Sequence, residues 1–397
     1  GLIPMLRVYN ECAKHINQCF TPDTKIYTKT GVKNIEDITE RDFVITKDGS
    51  YKKVLEVIKN YKVDTILKIR TKHSIEDVKC TKVHEIFALC GIKKMTPFST
   101  IKHKLLEGII EPEFVSAEEL NKDTDFLVFP IPTDVDDVDE YDKDLCRFYG
   151  IMLGDGHITK KKNCNSYECG ITCGTVNKKD TLAFVRNFLQ KRNIHSWENE
   201  HTNCIAIKWT LSKDFEINYD MLYTKEHQKY IHPSFINLPK QKLLSLILGL
   251  IETDGSRLKE IYYSSTSREL IEGLRIILLK CGVLTSGNIK NNIGSVSPYK
   301  NITTKQFCYS LRIPKHPILE SVLNITPSKK LNFFEYNNLL FSRVRSIESC
   351  EYDGYVYDLN IEDNHNYLTH MGLVHNSGKR NGSIAFYLEP HHPEIIE

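Results

Sequence analysis

The feature that most constrains the fold of this chain is an internal repeat. Two apolar runs of helical length, LCRFYGIMLGDG (145–156) and KLLSLILGLIETDG (242–255), both end in Asp-Gly, and their aspartates lie 99 residues apart. Each run is followed by strand-like segments and then by an amphipathic helix, at 180–194 and 267–283. Repetition on this scale predicts two similar halves related by a pseudo-two-fold axis.

Glycines recur at matching positions of the two runs. Gly150 and Gly249 each lie five residues before the Asp, so each helix has a patch without side chains. Such patches allow two helix backbones to approach closely. Gly156 and Gly255 follow the aspartates directly, and we expect each to end its helix in the left-handed conformation that glycine favours.

Packing of the two helices would bring Asp155 and Asp254 to the same end. Two carboxylates there can hold a hard divalent cation such as Mg²⁺ between protein and phosphate oxygens. The alternative is a pair of buried core helices in which each Asp is only a C-terminal turn residue.

The charge of the chain is unevenly distributed. The net charge is +2, but residues 145–325 carry 25 Lys and Arg against 15 Asp and Glu, so this segment is at +10 and the remainder at −8. A basic segment in an acidic frame indicates a polyanionic partner, of which nucleic acid is the commonest. The alternative is a basic surface without a partner.

The two runs resemble the motifs of the LAGLIDADG homing endonucleases, with YGIMLGDG and LGLIETDG as the two copies. The resemblance implies two αββαββα repeats, a saddle-shaped sheet in the DNA major groove and Mg²⁺-dependent cleavage of double-stranded DNA by Asp155 and Asp254. One departure is visible. The family often has a Lys shortly before a Pro ahead of the second motif, whereas FINLP (235–239) has no Lys before Lys240.

Around the repeats, the sequence is typical of an all-β module. Residues 20–100 read as short strands, including KIYTK, FVITKD, KKVLEVIKNYKV and TILKIRT, and FLVFPIP (126–132) reads as one more. DVDDVDEYDKD (134–144) is an acidic hinge, and the β pattern returns from about residue 333. The basic repeats therefore interrupt a β domain that resumes after them.

Residues near the start of the module can perform acyl chemistry. Cys19 offers a thiol beside the carbonyl of Gln18, so it can convert its own preceding peptide bond into a thioester. Thr81 and His84 form a T-x-x-H pair at the end of a strand, and His84 can protonate or orient the departing nitrogen.

Residues near the end of the module can complete that chemistry. Ser377 can capture the acyl group as an ester, and Asn376 can cyclise through its side-chain amide and cleave its bond to Ser377. His375 can polarise the carbonyl of Asn376. Asp358 and His365 would manage protons between the two ends.

This set resembles the intein family over 19–376. CFTPDT, CTKVHEIF, FVSAEELNKDTDFLVFP and VYDLNIEDNHNYLTHMGLVHN-S are similar to its sequence blocks, with Glu85 where Pro often stands and Ser377 in place of the more reactive Cys. The resemblance implies protein self-splicing and an all-β Hedgehog/intein (Hint-type) horseshoe, interrupted by an α+β LAGLIDADG domain. The expected parts are an N-terminal extein fragment (1–18), the first splicing segment (19–144), the endonuclease (145–325), the second splicing segment (326–376) and a C-terminal extein fragment (377–397).

The flanks support that interpretation when they are joined. Removal of 19–376 leaves GLIPMLRVYNECAKHINQ-SGKRNGSIAFYLEPHHPEIIE, which resembles a continuous stretch of the ribonucleotide reductase large subunit. The flanks are too short to carry reductase activity. The resemblance implies that the DNA target is the host gene without the insert.

Composition limits where the protein is expected to be found and which other functions are possible. No run is long and apolar enough for a membrane span, the first residues lack the pattern of a secretion signal, and twelve irregularly spaced cysteines fit reduced thiols in an intracellular compartment. We expect a monomer. Three alternatives remain open: an intein whose endonuclease only binds DNA, a plain DNA-binding or DNA-cleaving enzyme, and a metal-binding structural module. The last would use Cys164, Cys169, Cys173 and Cys204 with His195 or His201.

Overall fold

The computed structural model describes residues 18–161, 166–212, 215–257, 260–295, 303 and 305–376. The N-terminal part is mostly β: β1 Lys25–Thr28, β2 Gly31–Asn34, β3 Phe43–Ile45, β4 Tyr51–Thr71, β5 Val78–Cys80, β6 Glu85–Leu89, α1 Phe98–Leu106, β7 Glu113–Ser116 and β8 Phe126–Pro130.

Helices and strands alternate in the middle of the chain. The elements are α2 Lys143–Gly154, β9 Gly156–Lys160, β10 Tyr167–Gly174, α3 Lys179–Lys191, β11 Ser196–His201, β12 Cys204–Thr210, α4 Tyr219–Leu222, α5 Pro233–Ile236, α6 Lys240–Asp254, β13 Gly255–Ser256, β14 Ile261–Ser265, α7 Arg268–Lys280, β15 Ser286–Lys290, β16 Cys308–Ile313 and α8 Glu320–Leu323.

Strands return at the end of the described chain. They are β17 Phe333–Tyr336, β18 Leu339–Ile361, β19 Asn366–Leu368 and β20 Leu373–His375. Short 3₁₀ turns lie at Ile35–Asp37, Ala117–Glu119 and Pro317–Leu319.

The two longest strands pair with each other. β4 has 21 residues and β18 has 23, and they run antiparallel from Val344 opposite Thr71 to Ile361 opposite Val54. The prediction of separate short strands in this region was therefore wrong. Residues 51–71 contain no glycine or proline that would end a strand, and β18 pairs with their whole length.

Strand order brings both sequence ends of the β module into one 12-stranded sheet. The order is β19-β20-β6-β8-β18-β4-β3-β1-β2, with β17, β5 and β7 paired at its sides. β8 and β18 flank the inserted segment in sequence and pair directly, with Pro130 opposite Leu339. The chain therefore leaves the sheet and returns to it at neighbouring points.

The inserted segment consists of two halves with the same topology. In each half a long helix, two strands, a second helix and two more strands follow in order, and a short helix comes last. Each half has a four-stranded sheet in which the strands, numbered along that half, are ordered 1-2-4-3. α2 begins two residues earlier than expected because the carboxylate of Asp142 caps it, accepting from the Leu145 N–H at 2.6 Å.

The first helices of the two halves pack against each other through glycine. A Cβ at Gly150 would overlap the carbonyl oxygen of Leu246, and one at Gly249 would overlap that of Arg147. The prediction of left-handed caps was wrong, however. Gly255 is extended, with φ −92° and ψ 159°, and Gly156 has no positive φ either. Each glycine begins a strand, and its missing Cβ leaves room for the preceding helical turn.

The repeats and the β module share one apolar core. The largest buried cluster combines residues of the long helices with Tyr27, Ile45, Tyr51 and Phe129 of the module. Within the described residues, none of the helices has the length and apolar character needed to cross a membrane.

Substitution of Gly249 by Ala tests the close helix contact. The new Cβ would overlap the Arg147 carbonyl, so we expect the protein to lose about 1–3 kcal/mol of stability, seen as a lower melting temperature by circular dichroism. Gly174→Ala is the matched control because its Cβ would meet no atom closer than 3.9 Å. Equal melting temperatures for the two variants would contradict the tight packing.

Candidate functional site

Strand pairing places Cys19 opposite Asp358. Phe20 and Tyr357 exchange two backbone hydrogen bonds of 2.8 Å, so the residues on either side of this antiparallel bridge face each other. Both Cys19 and Asp358 are buried. Asp358 accepts a 2.5 Å hydrogen bond from the hydroxyl of Tyr367.

Thr81 holds the backbone of Cys19 on both sides. Its Oγ1 accepts from the Cys19 N–H at 3.1 Å, and its own N–H donates to the Cys19 carbonyl at 3.0 Å. The first contact involves the nitrogen that would leave if the thiol attacked the Gln18 carbonyl. Thr81 directly follows the short strand β5, in agreement with the sequence prediction that the T-x-x-H pair lies at the end of a strand.

Burial sets the protonation state of the Cys19 thiol. The pKa of Cys19 is raised to about 12, mainly by loss of water and also by the charge of Asp358. Lys62 and a hydrogen bond from Asn60 act in the opposite direction. At neutral pH the sulfur is therefore a thiol that must lose its proton during any attack.

His84 is fully buried and lies against Phe20. The two rings are 4.1 Å apart between centroids. Neither ring nitrogen of His84 has a hydrogen-bond partner within the described residues. Burial lowers the pKa of His84 to about 3, with a smaller contribution from His375, so the ring is neutral at physiological pH.

The far end of the chain returns to the same place. β20 pairs with β6 through Val374 opposite Ile86, and the His375 ring lies 3.7 Å from the carboxylate of Glu85, which directly follows His84. Cys19, through its neighbour Phe20, and Asn376, through its neighbour His375, are therefore both close to His84.

His375 is in contact with the carbonyl that it was predicted to polarise. Its Nδ1 lies 2.6 Å from the backbone oxygen of Asn376. The same nitrogen is 3.7 Å from a carboxylate oxygen of Glu85, and the ring meets Phe114 edge-on. Glu85 therefore places a negative charge beside this imidazole.

Asn376 is buried and fixed by backbone groups. Its side-chain nitrogen donates to the His365 carbonyl at 2.7 Å, and its side-chain oxygen accepts from the Ile361 N–H at 2.9 Å. His365 thus meets the junction through its carbonyl, at a left-handed φ of 49°, whereas its side chain is exposed. Ser377 and both predicted extein fragments, apart from Gln18, lie outside the described residues.

A second candidate site lies where the long helices end. Asp155 forms a 2.5 Å ion pair with Lys178. Desolvation raises the pKa of Asp254, although part of this residue is exposed, and the charge of Asp155 raises it further. The two carboxylates are therefore close enough to repel each other. This agrees with the prediction that packing of the two helices brings both aspartates to the same end.

Lys229 lies near the two aspartates and comes before the FINLP segment in the sequence. Its ammonium donates to the carbonyls of Gly154 and Gly156 at 2.6 and 2.7 Å and to that of Met152 at 3.2 Å. Burial lowers the pKa of Lys229 to about 8, and the two aspartates oppose that shift. FINLP has no Lys before Lys240, as noted from the sequence, whereas Lys229 lies further upstream, four residues before Pro233.

The aspartates suit a magnesium ion better than the cysteines suit a structural metal. Mg²⁺ is commonly bound by one or two carboxylates together with phosphate oxygens, which two aspartates can provide. Among the described residues, no three His, Cys, Asp or Glu side chains form a metal cluster. Cys169 and Cys173 are instead buried on β10, and Cys164 lies outside the described residues.

Sequence reasoning missed four residues of these sites. They are Tyr367, which binds Asp358, Lys178 and Lys229 near the aspartates, and Glu85 beside His375. Only Glu85 and Lys229 had a usable signal. Glu85 follows the block histidine directly, and Lys229 stands before a proline ahead of the second motif.

Comparison with known proteins gives one extensive family match. The model of the intein splicing domain matches residues 21–376. An uncharacterized protein of Methanocaldococcus jannaschii is 25% identical over 408 residues, which cover 90% of this chain and 50% of that protein. The ATP-dependent DNA helicase Hel308 of Thermococcus kodakarensis is 24% identical over 417 residues, covering 90% of this chain and 36% of the helicase.

The chain is also similar to other proteins over shorter stretches, and to a solved structure. A DNA polymerase of Thermococcus litoralis is 40% identical over 80 residues, which cover 20% of this chain and 4% of the polymerase. The chain thus spans half or less of the length of these relatives. A structure of the homing endonuclease I-DmoI has a TM-score of 0.34 at 16% identity and covers 47% of this chain and 99% of that one.

Buried neutral histidines predict a pH-dependent stability. The pKa values of His73, His84 and His370 are each lowered to about 3, with burial as the main cause. The unfolded state binds more protons below about pH 6.5, so each histidine should reduce the free energy of unfolding as the pH falls. The slope approaches about 1.4 kcal/mol per pH unit near pH 5.

Melting temperatures measured between pH 7.5 and 5 check this expectation. His84→Gln should fall less steeply than wild type because one buried imidazole is missing. His201→Gln, at an exposed position, should keep the wild-type slope. A wild-type slope in the His84 variant would contradict a neutral buried ring.

Proposed function

Because the chain belongs to the intein splicing family, we propose that residues 19–376 excise themselves and that the flanking segments become joined by a peptide bond. The observation that carries the proposal is that the neighbours of both reacting residues meet at the buried His84. Phe20, next to Cys19, packs on its ring, and His375, next to Asn376, lies 3.7 Å from Glu85, which directly follows His84. Acyl transfer between two distant peptide bonds requires such convergence.

The first step is an N-to-S acyl shift at Cys19. The sulfur attacks the Gln18 carbonyl carbon, the bond from that carbon to the Cys19 nitrogen breaks, and a thioester forms. Asp358, opposite Cys19, is placed to take the thiol proton, which the sulfur retains at neutral pH. Thr81 orients the leaving nitrogen, which takes up the proton that the thiol has lost and becomes a free amine. The unpartnered His84 ring can donate a hydrogen bond to this peptide.

The later steps move the acyl group to the C-terminal junction. The Ser377 hydroxyl attacks the thioester and frees the Cys19 sulfur. The side-chain nitrogen of Asn376 then attacks its own backbone carbonyl, which breaks the bond to Ser377 and leaves a succinimide. Three contacts support this step: His375 on the attacked carbonyl, the His365 carbonyl on the nucleophilic nitrogen, and Glu85 beside His375. An O-to-N acyl shift restores the peptide bond.

Intact-mass spectrometry of the purified chain over time tests the proposal. We expect loss of the internal segment and appearance of a ligated flank product. Cys19→Ala should stop thioester formation but leave cleavage after Asn376 possible, because cyclisation uses a different bond. Asn376→Ala should accumulate a thioester or branched species that an added thiol cleaves.

Asn199→Ala provides a control for the loss of an asparagine, since Asn199 is exposed on β11 in the insert. It should splice at the wild-type rate. An unchanged full-length mass in wild type under reducing, mildly heated conditions would refute self-splicing and favour a plain DNA-binding enzyme.

We further propose that the inserted repeats cleave double-stranded DNA at the uninterrupted host gene. The supporting observations are the +10 charge of 145–325 and the two aspartates that meet where the long helices end. Asp155 and Asp254 would hold Mg²⁺, which when bound stabilises charge on a transferring phosphate. Lys178 and Lys229 place positive charge beside the carboxylates and toward the DNA phosphate.

Separate variants test this second activity. Asp254→Asn should reduce cleavage of the host-gene duplex by a factor of about 100 or more while DNA binding and splicing persist, since the carboxylate is distant in sequence and fold from the Cys19 site. Asp220→Asn, in the short helix α4, is the control. Binding of the duplex by wild type without cleavage at any Mg²⁺ concentration would instead indicate a DNA-binding insert.

The remaining assignments are also proposals. The host protein is the ribonucleotide reductase large subunit that the flanks resemble, and the intein acts as a monomer in a reducing intracellular compartment. The proposed parts end at residues 18, 144, 325 and 376. α2 begins at Lys143, one residue before the boundary at 144.

A further inference from the structure

A basic cleft lies between the β module and the second half of the insert. It encloses about 790 Å³ and is lined by Lys72, Lys122 and Arg345 from the module and by Arg312 and Asn288 from the second sheet. The cleft has one acidic lining residue, Asp123, which is already paired with Lys94. It is therefore positively charged.

Three of its cations are available for a ligand. Lys72, Lys122 and Arg345 have exposed side chains, and within the described part of the chain none of the three forms an ion pair. Arg312, by contrast, is paired with Glu260. The three available cations come from distant parts of the sequence and meet only in the folded protein.

The backbone beneath these cations is firmly held. The N–H of Lys72 donates to the Arg343 carbonyl at 3.0 Å, and the N–H of Asp123 donates to the Val344 carbonyl at 3.1 Å. Both contacts tie the cation-bearing segments to the stretch of β18 that leads into Arg345. The charges are therefore preorganised, which reduces the entropy lost on binding.

The cleft continues the outer face of the second sheet. Tyr262, Arg312 and Asn288 are exposed, and the pairs Tyr262–Arg312 and Asn288–Ser310 place them on one face of neighbouring strands. The sheet begins with β13, which starts immediately after Asp254, and ends with β15 at the cleft. Three strand spacings of about 4.8 Å separate these edges, or roughly 14 Å.

The contact between the module and this edge is close. A Cβ at Gly287 on β15 would lie 3.1 Å from the side chain of Ile75, which follows the turn that carries Lys72. The same turn is fixed from below because Arg275 of α7 donates to the His73 carbonyl at 3.2 Å. The module therefore extends the surface of the second half rather than standing apart from it.

We propose that this cleft binds the phosphate backbone of one arm of the duplex that the insert cleaves, so that the β module contributes directly to DNA binding. The inference rests on the proposed endonuclease function and adds a second, asymmetric anchor to it. Sequence-independent contacts of Lys and Arg with phosphates position a duplex without reading its bases. The contact is confined to the arm that lies over the second half.

DNA is favoured over an acidic protein segment by the continuity of the surface. The cleft opens along the same outer face that starts next to Asp254, and its lining is polar and cationic with little apolar area. An acidic peptide would not need that face. If a peptide were the ligand, removal of the cleft charges would leave all DNA binding unchanged.

The test uses the full chain carrying Cys19→Ala and Asn376→Ala, so that neither splicing nor cleavage after residue 376 changes the sample. Binding is measured by fluorescence anisotropy at several salt concentrations. The probe is the host-gene duplex that wild type cleaves, together with two shortened duplexes, each lacking one arm. Lys72→Gln, Lys122→Gln and Arg345→Gln are combined in one variant. We expect about tenfold weaker binding of the full duplex and a salt slope smaller by about 2–3.

A matched variant removes the same charge elsewhere. Lys53, Lys102 and Lys104 are exposed and lie outside the cleft, and their replacement by Gln should leave affinity and salt slope near wild type. The cleft variant should lose affinity for the full duplex and for one shortened duplex, and should match wild type on the duplex that lacks the arm over the second half.

The outcomes separate this inference from the function on which it rests. If wild type neither cleaves nor preferentially binds the host-gene duplex, the endonuclease proposal fails. If wild type cleaves it and the cleft variant shows the wild-type salt slope, the cleft does not bind DNA. Equal losses on both shortened duplexes would overturn the assignment to one arm.

Discussion

The antiparallel pairing of β4 with β18 is the constraint on which the rest of the structure depends. β18 joins β4 along one edge and meets β8 and the Phe20 bridge along the other, so it connects the start, the interruption and the end of the module. A slip of one residue in this register would turn Asp358 to the opposite face of the sheet, away from Cys19. The same pairing keeps Pro130 opposite Leu339, so an insert can leave and return without opening the sheet.

Burial determines the charge states of the groups around Cys19. In a low-dielectric interior the thiol and His84 stay neutral, so the site depends on hydrogen bonds and on one nearby carboxylate rather than on a standing thiolate. A buried polar atom without a partner costs about 1–3 kcal/mol. Within the described residues His84 leaves two such atoms, which suits its proposed contact with the peptide before Cys19.

The sequence predicted the features that local pattern controls. Apolar periodicity gave the four long helices of the repeats to within a few residues, and the T-x-x-H spacing placed Thr81 and His84 correctly at the end of a strand. Contacts between residues that are far apart in the chain could not be predicted from the sequence. Lys229 reaches the end of α2 from about 75 residues away, and the carbonyl of His365 reaches Asn376 only because a left-handed φ turns it inward. Gly156 and Gly255 were assigned the wrong role, since steric clearance and left-handed caps select glycine equally well.

The two sites are chemically separate, yet they depend on one folded body. The side chains of Arg275 and Glu272 on α7 form a buried ion pair, and Arg275 also binds the module through the His73 carbonyl. Removal of one partner of such a pair typically destabilises a protein by about 3–5 kcal/mol. Tyr27 and Tyr51 of the module pack into the core of the repeats. A change at this interface would therefore weaken both activities through the fold, whereas a change at Asp155 or Asp254 would reach only one of them. Deletion of the insert would expose the apolar surface of the module that the insert now covers. An insert that contributes to the core in this way is difficult to lose.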